Sequence, residues 1–242
     1  MIVVQWLRSL LFVGTVYFAM LPVGLAYMPW ALVSRRGAVA AAHAWTRFCI
    51  WCARWMVGIR SEVRGTPPTG EVMIAAKHQS FFDIILIYAS VPRGKFIMKK
   101  ELTRAPILGQ YALRIGCIPV DRGRRGQAVK QMLADVAAGK ADPGQLIIYP
   151  QGTRVAPGDA VPYKIGTGAL YQELGQPCVP AACNVGLFWP RKGILRKPGL
   201  AVVEFLDPIP PDLPVADFMA RLERDIETAS DRLMAEAGLQ RP

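Results

Sequence analysis

The sequence predicts an α/β fold, a central sheet flanked by helices, preceded by an N-terminal two-helix membrane anchor. Three observations predict this arrangement. The chain of 242 residues is long enough for one sizeable core. It begins with two long apolar stretches, and from Ser61 onward short runs rich in Val and Ile alternate with amphipathic segments. We therefore assign residues 1–60 to a membrane-associated helical segment and residues 61–242 to the α/β domain.

The composition excludes several classes of protein. Hydrophobic residues make up 52% of the chain, and the formal net charge is +11. An intrinsically disordered chain needs a much lower hydrophobicity. Basic nucleic-acid-binding proteins are seldom this apolar, and the sequence carries no recognised motif of such proteins. The combination favours an anionic membrane surface or an acidic, lipid-like substrate as the partner.

The first apolar stretch, Ser9 to Ser34, holds 26 residues without a charge. At ~1.5 Å per residue, a helix of this length covers a bilayer core of ~30 Å. The stretch exceeds the ~7–15 residues of a signal-peptide core and is followed by more apolar sequence, so we interpret it as retained. Pro22 and Pro29 are each able to kink or end a helix, and we expect Pro22 to shorten any spanning helix.

The second apolar stretch, Ala38 to Ile59, has Arg47, Arg54 and then Arg60 interspersed with aromatic residues. This pattern is typical of an amphipathic helix that lies in the membrane interface, a depth that suits both Arg and Trp. We therefore favour a monotopic two-helix anchor. A membrane-spanning hairpin is the alternative.

Cysteine and histidine are sparse. The five cysteines favour a reducing compartment, because their odd number and the size of the chain do not fit a disulfide framework. Cys49 and Cys52 form a C-x-x-C within the second apolar stretch, where we interpret them as buried or lipid-facing thiols. The only histidines are His43 and His78, so we predict no metal site.

Beyond the apolar stretches, the predicted strands are short runs bounded by Gly, Pro or charge. They are Glu71–Ala76, Lys95–Met98, Cys117–Val120, Gln145–Tyr149, Cys178–Asn184 and Leu200–Leu206. The predicted helices are Ser80–Ala89, Arg104–Ile115, Gly126–Ala138, Tyr163–Leu174 and Val215–Ala237. This alternation of strands and helices indicates a sheet covered by helices.

A histidine and a carboxylate follow the first predicted strand. His78 comes just past the strand, and Asp83 lies in the first turn of the next predicted helix. A carboxylate there can accept a hydrogen bond from one imidazole nitrogen and leave the other nitrogen as a base. His78 is the only histidine outside the apolar stretches, so histidine-dependent chemistry in the α/β domain must use it. A structural histidine beside a helix-capping aspartate, or Ser80 as a nucleophile, are the alternatives.

Four blocks of the sequence carry a resemblance to a known family. They are His78–Asp83, Gly116–Arg122, Tyr149–Arg154 and Val179–Ala182. In this order they resemble the motifs of the glycerolipid acyltransferases, the family that includes 1-acyl-sn-glycerol-3-phosphate acyltransferase; the third motif is usually written P-E-G-T-R. The two apolar stretches resemble the membrane anchor of bacterial members.

The resemblance implies a membrane-bound enzyme with the glycerolipid acyltransferase fold. It would transfer an acyl group from acyl-CoA or acyl-carrier protein to the sn-2 hydroxyl of 1-acyl-sn-glycerol-3-phosphate (lysophosphatidic acid), giving phosphatidic acid. The acyl donor is a co-substrate, and no bound cofactor is implied. His78 would be the general base, held by Asp83. The expected location is the cytoplasmic face of the inner (plasma) membrane.

Residues that follow predicted strands are suited to bind the substrate phosphate. Arg122 and Arg154 each follow a strand beside glycines, and the planar fork of arginine fits a phosphomonoester. Gly152 allows backbone N–H groups to come close to an anion, and Thr153 adds a hydroxyl donor. We expect these four residues to contact the substrate.

The region 91–130 holds ten Lys and Arg residues against two acidic ones, and within it Lys99 lies in a stretch that resembles family members. We therefore expect Lys99 to contact the phosphate as well. Gln151, also expected at the substrate, stands where most members have Glu, and Lys77 where many have Asn. Two alternatives stay open: another lyso-lipid acceptor, such as a lyso-aminolipid or lysophospholipid, and an inert basic membrane-surface module.

Overall fold

The computed structural model describes residues 2–120, 130 and 144–239. Two long helices come first, α1 (Ile2–Val33) and α2 (Arg35–Val57). Ser34 separates them and caps α2, because its side chain accepts a hydrogen bond from the Arg36 N–H at 3.2 Å. Gly58 ends α2 in the left-handed conformation, at φ 76°. The predicted pair of N-terminal helices is confirmed.

Helix α1 continues past Pro22 and Pro29, so the expectation that Pro22 shortens it is wrong. A proline removes one backbone hydrogen bond from a helix, but packing on either side can hold the helix together. The turn after Pro22 is held in this way, since the Tyr111 hydroxyl donates to the Gly24 carbonyl at 2.5 Å. Ile107 also packs on Gly24, so closely that a Cβ there would lie 2.6 Å from its Cγ2.

Helix α1 has one buried face and one exposed apolar face. The buried residues are Ser9, Phe12, Val16, Gly24 and Ala31. The exposed face carries large apolar side chains, such as Val3, Leu11 and Phe18. Among the described residues, α1 is the one helix whose length and apolar composition would suffice to cross a bilayer. The exposed apolar face makes α1 a candidate membrane anchor.

Within the described residues, the body of the protein is a sheet of seven strands. Its strands are β1 (Ile59–Arg64), β2 (Val72–Ala76), β3 (Gly94–Lys99), β4 (Ile118–Val120), β5 (Gln145–Ile148), β6 (Cys178–Cys183) and β7 (Gly199–Phe205). They lie in the order β1-β7-β6-β2-β5-β3-β4, and every neighbouring pair is parallel except β6 and β7. Strands β2 to β6 therefore end at one common edge, which we call the carboxyl edge.

Four further helices in the described part of the chain complete two layers around the sheet. They are α3 (Phe82–Ser90), α4 (Leu108–Arg114), α5 (Gly166–Leu174) and α6 (Val215–Glu236). Alternate residues of β2 point to opposite faces, as a strand requires. Ile74 packs in the apolar cluster of α1, α2 and α3, whereas Met73 packs in the cluster of α5 and α6. This α/β architecture confirms the predicted fold class.

Three parts of the chain differ from the predicted elements or cannot be compared with them. Strand β1 was not predicted, because its sequence Ile-Arg-Ser-Glu-Val-Arg is largely polar, which suits a strand at the sheet edge. The predicted helix Arg104–Ile115 is divided: a 3-10 turn spans Lys100–Arg104, and α4 begins only after Pro106. The predicted helix Gly126–Ala138 lies outside the described residues, apart from Lys130.

Candidate active site

Three polar segments meet at the carboxyl edge of the sheet. Strand β2 leads into His78, β5 leads into the segment 149–154, and β3 ends at Lys99. The first two are directly joined, because the Val155 N–H donates to the His78 carbonyl at 2.8 Å. Ligands of open α/β sheets bind at the carboxyl ends of their parallel strands. This edge is therefore the candidate active site.

Asp83 holds His78 in one orientation. Its Oδ1 lies 2.9 Å from Nδ1 of His78, and its Oδ2 accepts hydrogen bonds from the backbone N–H groups of Gln79 (2.9 Å) and Ser80 (2.6 Å). The Asp83 side chain is fully buried, whereas 13% of the His78 side chain is exposed. With the Nδ1 proton donated to the carboxylate, Nε2 carries the free lone pair of a base.

The start of α3 explains why Asp83 is placed there. The Ser80 hydroxyl oxygen accepts a hydrogen bond from the Phe82 N–H at 3.0 Å, and Asp83 follows in the first helical turn. Backbone N–H groups at a helix start are unpaired within the helix and attract a carboxylate. Ser80 is itself fully buried, which argues against the alternative of a serine nucleophile.

Tyr149 lies directly against the His78 ring. The ring centroids are 3.9 Å apart, and the planes are inclined by 21°. Burial first, and the negative charge of nearby Asp83 second, raise the pKa of Tyr149 well above its usual value, so the phenol stays neutral. Tyr149 is the first residue of the third block, but the sequence alone predicts no role for it. The feature of the sequence that could have indicated a role is its position: an aromatic residue at the end of a predicted strand and at the start of a motif block.

The third block forms a tight turn next to His78. Gly152 adopts φ 66°, and its N–H donates to the Tyr149 carbonyl at 2.8 Å. A side chain at Gly152 would also collide with Lys164, whose Nζ would lie 2.3 Å from a Cβ there. The left-handed backbone favours glycine at this position, whereas the end of the flexible Lys164 side chain could move aside.

The other predicted residues of the third block lie along the same turn. Thr153 and Arg154 are half-buried, and the Arg154 carbonyl accepts a hydrogen bond from Nη1 of Arg191 at 3.0 Å. Gln151 is buried, and its Nε2 lies 3.4 Å from the Val161 carbonyl oxygen. Arg191 is a neighbour of this segment that the sequence analysis did not assign to the site, and no local spacing signals the contact.

Lys99 ends β3, which pairs with β4 at the carboxyl edge. Lys99 is exposed at the end of β3 and pairs in the sheet with Val120, the last residue of β4. Arg122 comes two residues later and lies outside the described residues. The register thus brings Lys99 next to the strand that leads to Arg122.

A partly buried ion pair begins at Lys77, the residue before His78. The Lys77 ammonium donates to both carboxylate oxygens of Glu227 on α6, at 2.7 and 2.6 Å. The Tyr163 hydroxyl donates to the same carboxylate at 2.9 Å. Lys77 is only 2% exposed, so removal of Glu227 would leave a buried ammonium without its counter-charge. The structure accounts in this way for a lysine where many family members have asparagine.

Replacing Glu227 by alanine is expected to lower the free energy of unfolding by about 3 kcal/mol, because the buried Lys77 ammonium loses its counter-charge. The double variant Lys77→Met with Glu227→Leu should recover most of this loss. Urea unfolding of the purified protein in detergent measures both, with Arg224→Ala on the exposed side of α6 as the control. Equal stability of Glu227→Ala and the wild type would contradict the assignment.

The predicted burial of the two C-x-x-C thiols is confirmed, and all five cysteines lie among the described residues. All five are unpaired and buried, and Cys49 and Cys52 lie in the apolar cluster of α1, α2 and α3. Within residues 2–120, 130 and 144–239, no group of three or more His, Cys, Asp or Glu side chains is arranged to hold a metal ion.

Comparison with known sequences gives matches to acyltransferases. A family model described as Acyltransferase matches residues 60–184. The 1-acyl-sn-glycerol-3-phosphate acyltransferase of Pseudomonas aeruginosa is 32% identical over 157 residues, which are 64% of this chain and 61% of that protein. The human protein named 1-acyl-sn-glycerol-3-phosphate acyltransferase alpha is 30% identical over 162 residues, 65% of this chain and 57% of that protein. The chain thus matches about three-fifths of the length of these relatives.

A solved structure has the same fold over nearly the whole chain. The crystal structure of the 1-acyl-sn-glycerophosphate (LPA) acyltransferase PlsC from Thermotoga maritima superposes with a TM-score of 0.78 at 19% sequence identity. The match covers 95% of this chain and 98% of that one, so it includes the N-terminal helices as well as the sheet. The likeness confirms the fold expected from the four sequence blocks.

Proposed function

Since the chain belongs to the acyltransferase family, we propose that it transfers an acyl group from acyl-CoA or acyl-carrier protein to 1-acyl-sn-glycerol-3-phosphate. The product is phosphatidic acid, with the new ester at the sn-2 position. The observation that carries this proposal is the His78–Asp83 pair at the carboxyl edge, hydrogen-bonded through the His78 carbonyl to the turn that holds Arg154. The names of the curated relatives support the choice of acceptor.

The reaction uses His78 as a general base. Its Nε2 takes the proton of the sn-2 hydroxyl while the hydroxyl oxygen attacks the thioester carbonyl. The new C–O bond forms, the C–S bond breaks, and the leaving thiolate receives a proton from the imidazolium or from solvent. No covalent acyl-enzyme is needed, which agrees with a site in which Ser80 is buried as a helix cap. Positioned base catalysis accounts for roughly 10²–10⁴-fold of the rate.

The phosphate of the acceptor is recognised by residues at the same edge. Arg154 supplies a planar fork for two phosphate oxygens, and Lys99 supplies a second cation from the end of β3. The turn at Gly152 brings backbone N–H groups close to the anion, and the Thr153 hydroxyl is a further donor. Gln151 offers an amide in place of a carboxylate, so it adds no negative charge that would repel the phosphate. From the sequence alone, we also propose Arg122 as a contact to the phosphate.

An acceptor panel tests the proposed function. Purified full-length protein in detergent micelles, supplied with labelled acyl-CoA or acyl-carrier protein, is expected to acylate lysophosphatidate faster than lysophospholipids with larger headgroups or lyso-aminolipids. A preference for one of those acceptors would show that lysophosphatidate is not the substrate, while the proposed acyl-transfer reaction would still hold. The absence of transfer to every acceptor would favour the inert membrane-surface module.

Within this assay, Arg154→Ala is expected to lower kcat/KM for lysophosphatidate by roughly 10- to 100-fold, because a charge-assisted contact to the phosphate is lost. The loss should be much smaller for a lyso-lipid without a phosphomonoester. Arg224→Ala, a change of the same size at an exposed position of α6, is the control. An equal loss of kcat/KM for all acceptors would show that Arg154 does not recognise the phosphate.

We infer further that α1 and α2 attach the protein to the cytoplasmic face of the inner membrane, where both acyl donors occur. The exposed apolar face of α1 supports attachment, and its buried face, from Ser9 to Ala31, supports a helix that lies along the domain instead of leaving it to span the bilayer. The wild type should therefore sediment with phospholipid vesicles at high salt. Recovery in the supernatant would overturn the anchor.

A further inference from the structure

The Tyr149 ring lies between the rings of His78 and Phe96. Tyr149 stacks on His78 with centroids 3.9 Å apart, and Phe96 of β3 lies beyond it at 6.3 Å with the two planes inclined by only 8°. The three rings belong to residues in or just after β2, β5 and β3, which are adjacent in the sheet. Tyr149 therefore presents one aromatic face to the imidazole.

The strand register determines this contact. In the parallel pair of β2 and β5, Ile148 lies opposite Ala75. Tyr149 is the next residue after β5, and His78 comes shortly after β2, so both side chains leave the same edge of neighbouring strands. The hydrogen bond from the Gly152 N–H to the Tyr149 carbonyl (2.8 Å) fixes the backbone at this point.

We propose that Tyr149 is a positioning residue for His78, whose ring face fixes the plane of the imidazole and stabilises the imidazolium formed during acyl transfer. The proposal rests on the function proposed above, in which His78 is the base. The bond between Nδ1 of His78 and Asp83 fixes one point of the imidazole ring and still allows the ring to tilt about that point. The stacked tyrosine restricts this tilt and so directs Nε2 at the acceptor hydroxyl.

The ring also favours the transition state over the ground state. His78 is neutral before the reaction and becomes positive as Nε2 takes the hydroxyl proton. A cation over the face of an aromatic ring is attracted by the negative face of the ring quadrupole. An interaction that strengthens only as the charge develops raises kcat and leaves substrate binding nearly unchanged.

The hydroxyl group of Tyr149 is not needed for this role. It is buried near the Asp83 carboxylate, whose negative charge helps to raise the pKa of Tyr149, but within the described residues it makes no hydrogen bond of standard geometry. A buried hydroxyl in such a position contributes little to stability. The aromatic ring is therefore the part of Tyr149 that acts on His78, and Tyr149→Phe should keep the activity.

Three variants of the full-length protein test the proposal with lysophosphatidate and acyl-CoA, or with whichever acceptor the wild type prefers. Tyr149→Leu is expected to lower kcat roughly 3- to 30-fold, with the acceptor KM unchanged within about twofold. Tyr149→Phe should keep kcat within about twofold of the wild type. Phe96→Leu is the matched control: it removes the next ring of the stack without touching His78, and it should lower thermal stability but leave kcat nearly unchanged.

Several outcomes would overturn the proposal. They are an unchanged kcat in Tyr149→Leu, a Tyr149→Phe variant as slow as Tyr149→Leu, or a Phe96→Leu variant that is equally slow.

A second measurement of the contact between Tyr149 and His78 does not depend on activity. Diethyl pyrocarbonate should modify His78 several-fold faster in Tyr149→Leu than in the wild type, as followed by mass spectrometry, because one ring face is uncovered. An unchanged rate would show that Tyr149 does not cover His78. If the wild type acylates no lyso-lipid, the proposed function fails, and the modification rate still tests the contact.

Discussion

Replacing His78 by alanine is expected to lower kcat/KM for acyl transfer by about 10²–10⁴-fold, because the acceptor hydroxyl loses its base. The imidazole is hydrogen-bonded through Nδ1 to a buried carboxylate, and its ring is partly exposed at the carboxyl edge. Asp83 cannot act as the base in the absence of the imidazole, because its side chain is fully buried and accepts hydrogen bonds from two backbone N–H groups. Transfer of a labelled acyl group by the purified full-length protein measures the effect.

His43→Ala is the matched control for this experiment. His43 is the only other histidine in the sequence, and it lies on α2, where its Nε2 is 3.4 Å from the Pro92 carbonyl oxygen and its ring contacts Tyr88. This variant should keep activity within about twofold of the wild type. If His78→Ala retains more than about a tenth of the activity, His78 is a structural histidine and the proposed mechanism is wrong.

Replacing Asp83 by asparagine is expected to lower kcat by about 10²–10⁴-fold while the protein stays folded. The amide oxygen can still accept hydrogen bonds from the Gln79 and Ser80 N–H groups. Its NH₂ group then faces Nδ1 of His78, which must become an acceptor. The proton therefore moves to Nε2, and the nitrogen that faces the substrate is no longer a base.

Asp83→Ala separates orientation from stability. It should lose as much activity as the asparagine variant and also several kcal/mol of unfolding free energy, because two buried N–H groups lose their acceptor. Steady-state kinetics and urea unfolding of both variants provide the comparison. An Asp83→Asn variant with nearly normal kcat would show that Asp83 is only a helix cap, the alternative considered from the sequence.

The features that could be predicted from the sequence depend on contacts between residues close in the chain. His78 and Asp83 are five residues apart, and the start of a helix brings the carboxylate back to the strand end. The glycine of the third block is also predictable, because its turn depends on a hydrogen bond between Gly152 and Tyr149, which are only three residues apart. Two apolar stretches were enough to predict α1 and α2, although not that α1 continues past Pro22.

The parts of the site that could not be predicted depend on contacts between distant residues. Lys77 and Glu227 are separated by 150 residues, and the polar sequence around Glu227 is equally typical of a solvated helix face. Arg191 reaches the Arg154 carbonyl from another segment, 37 residues away. Strand β1 was also missed, because a polar edge strand has neither the hydrophobicity nor the alternation that marks a buried strand.

By itself, the sequence determined most of the elements, the resemblance to the glycerolipid acyltransferases and the pairing of His78 with Asp83. Only the tertiary structure decided what surrounds that pair: the ring of Tyr149 on one side and the ion pair of Lys77 with Glu227 behind it. The reason is the sheet. Its parallel strands pair out of chain order, as β2 does with β5 and β6, and the register that brings their ends together is set by packing over the whole core.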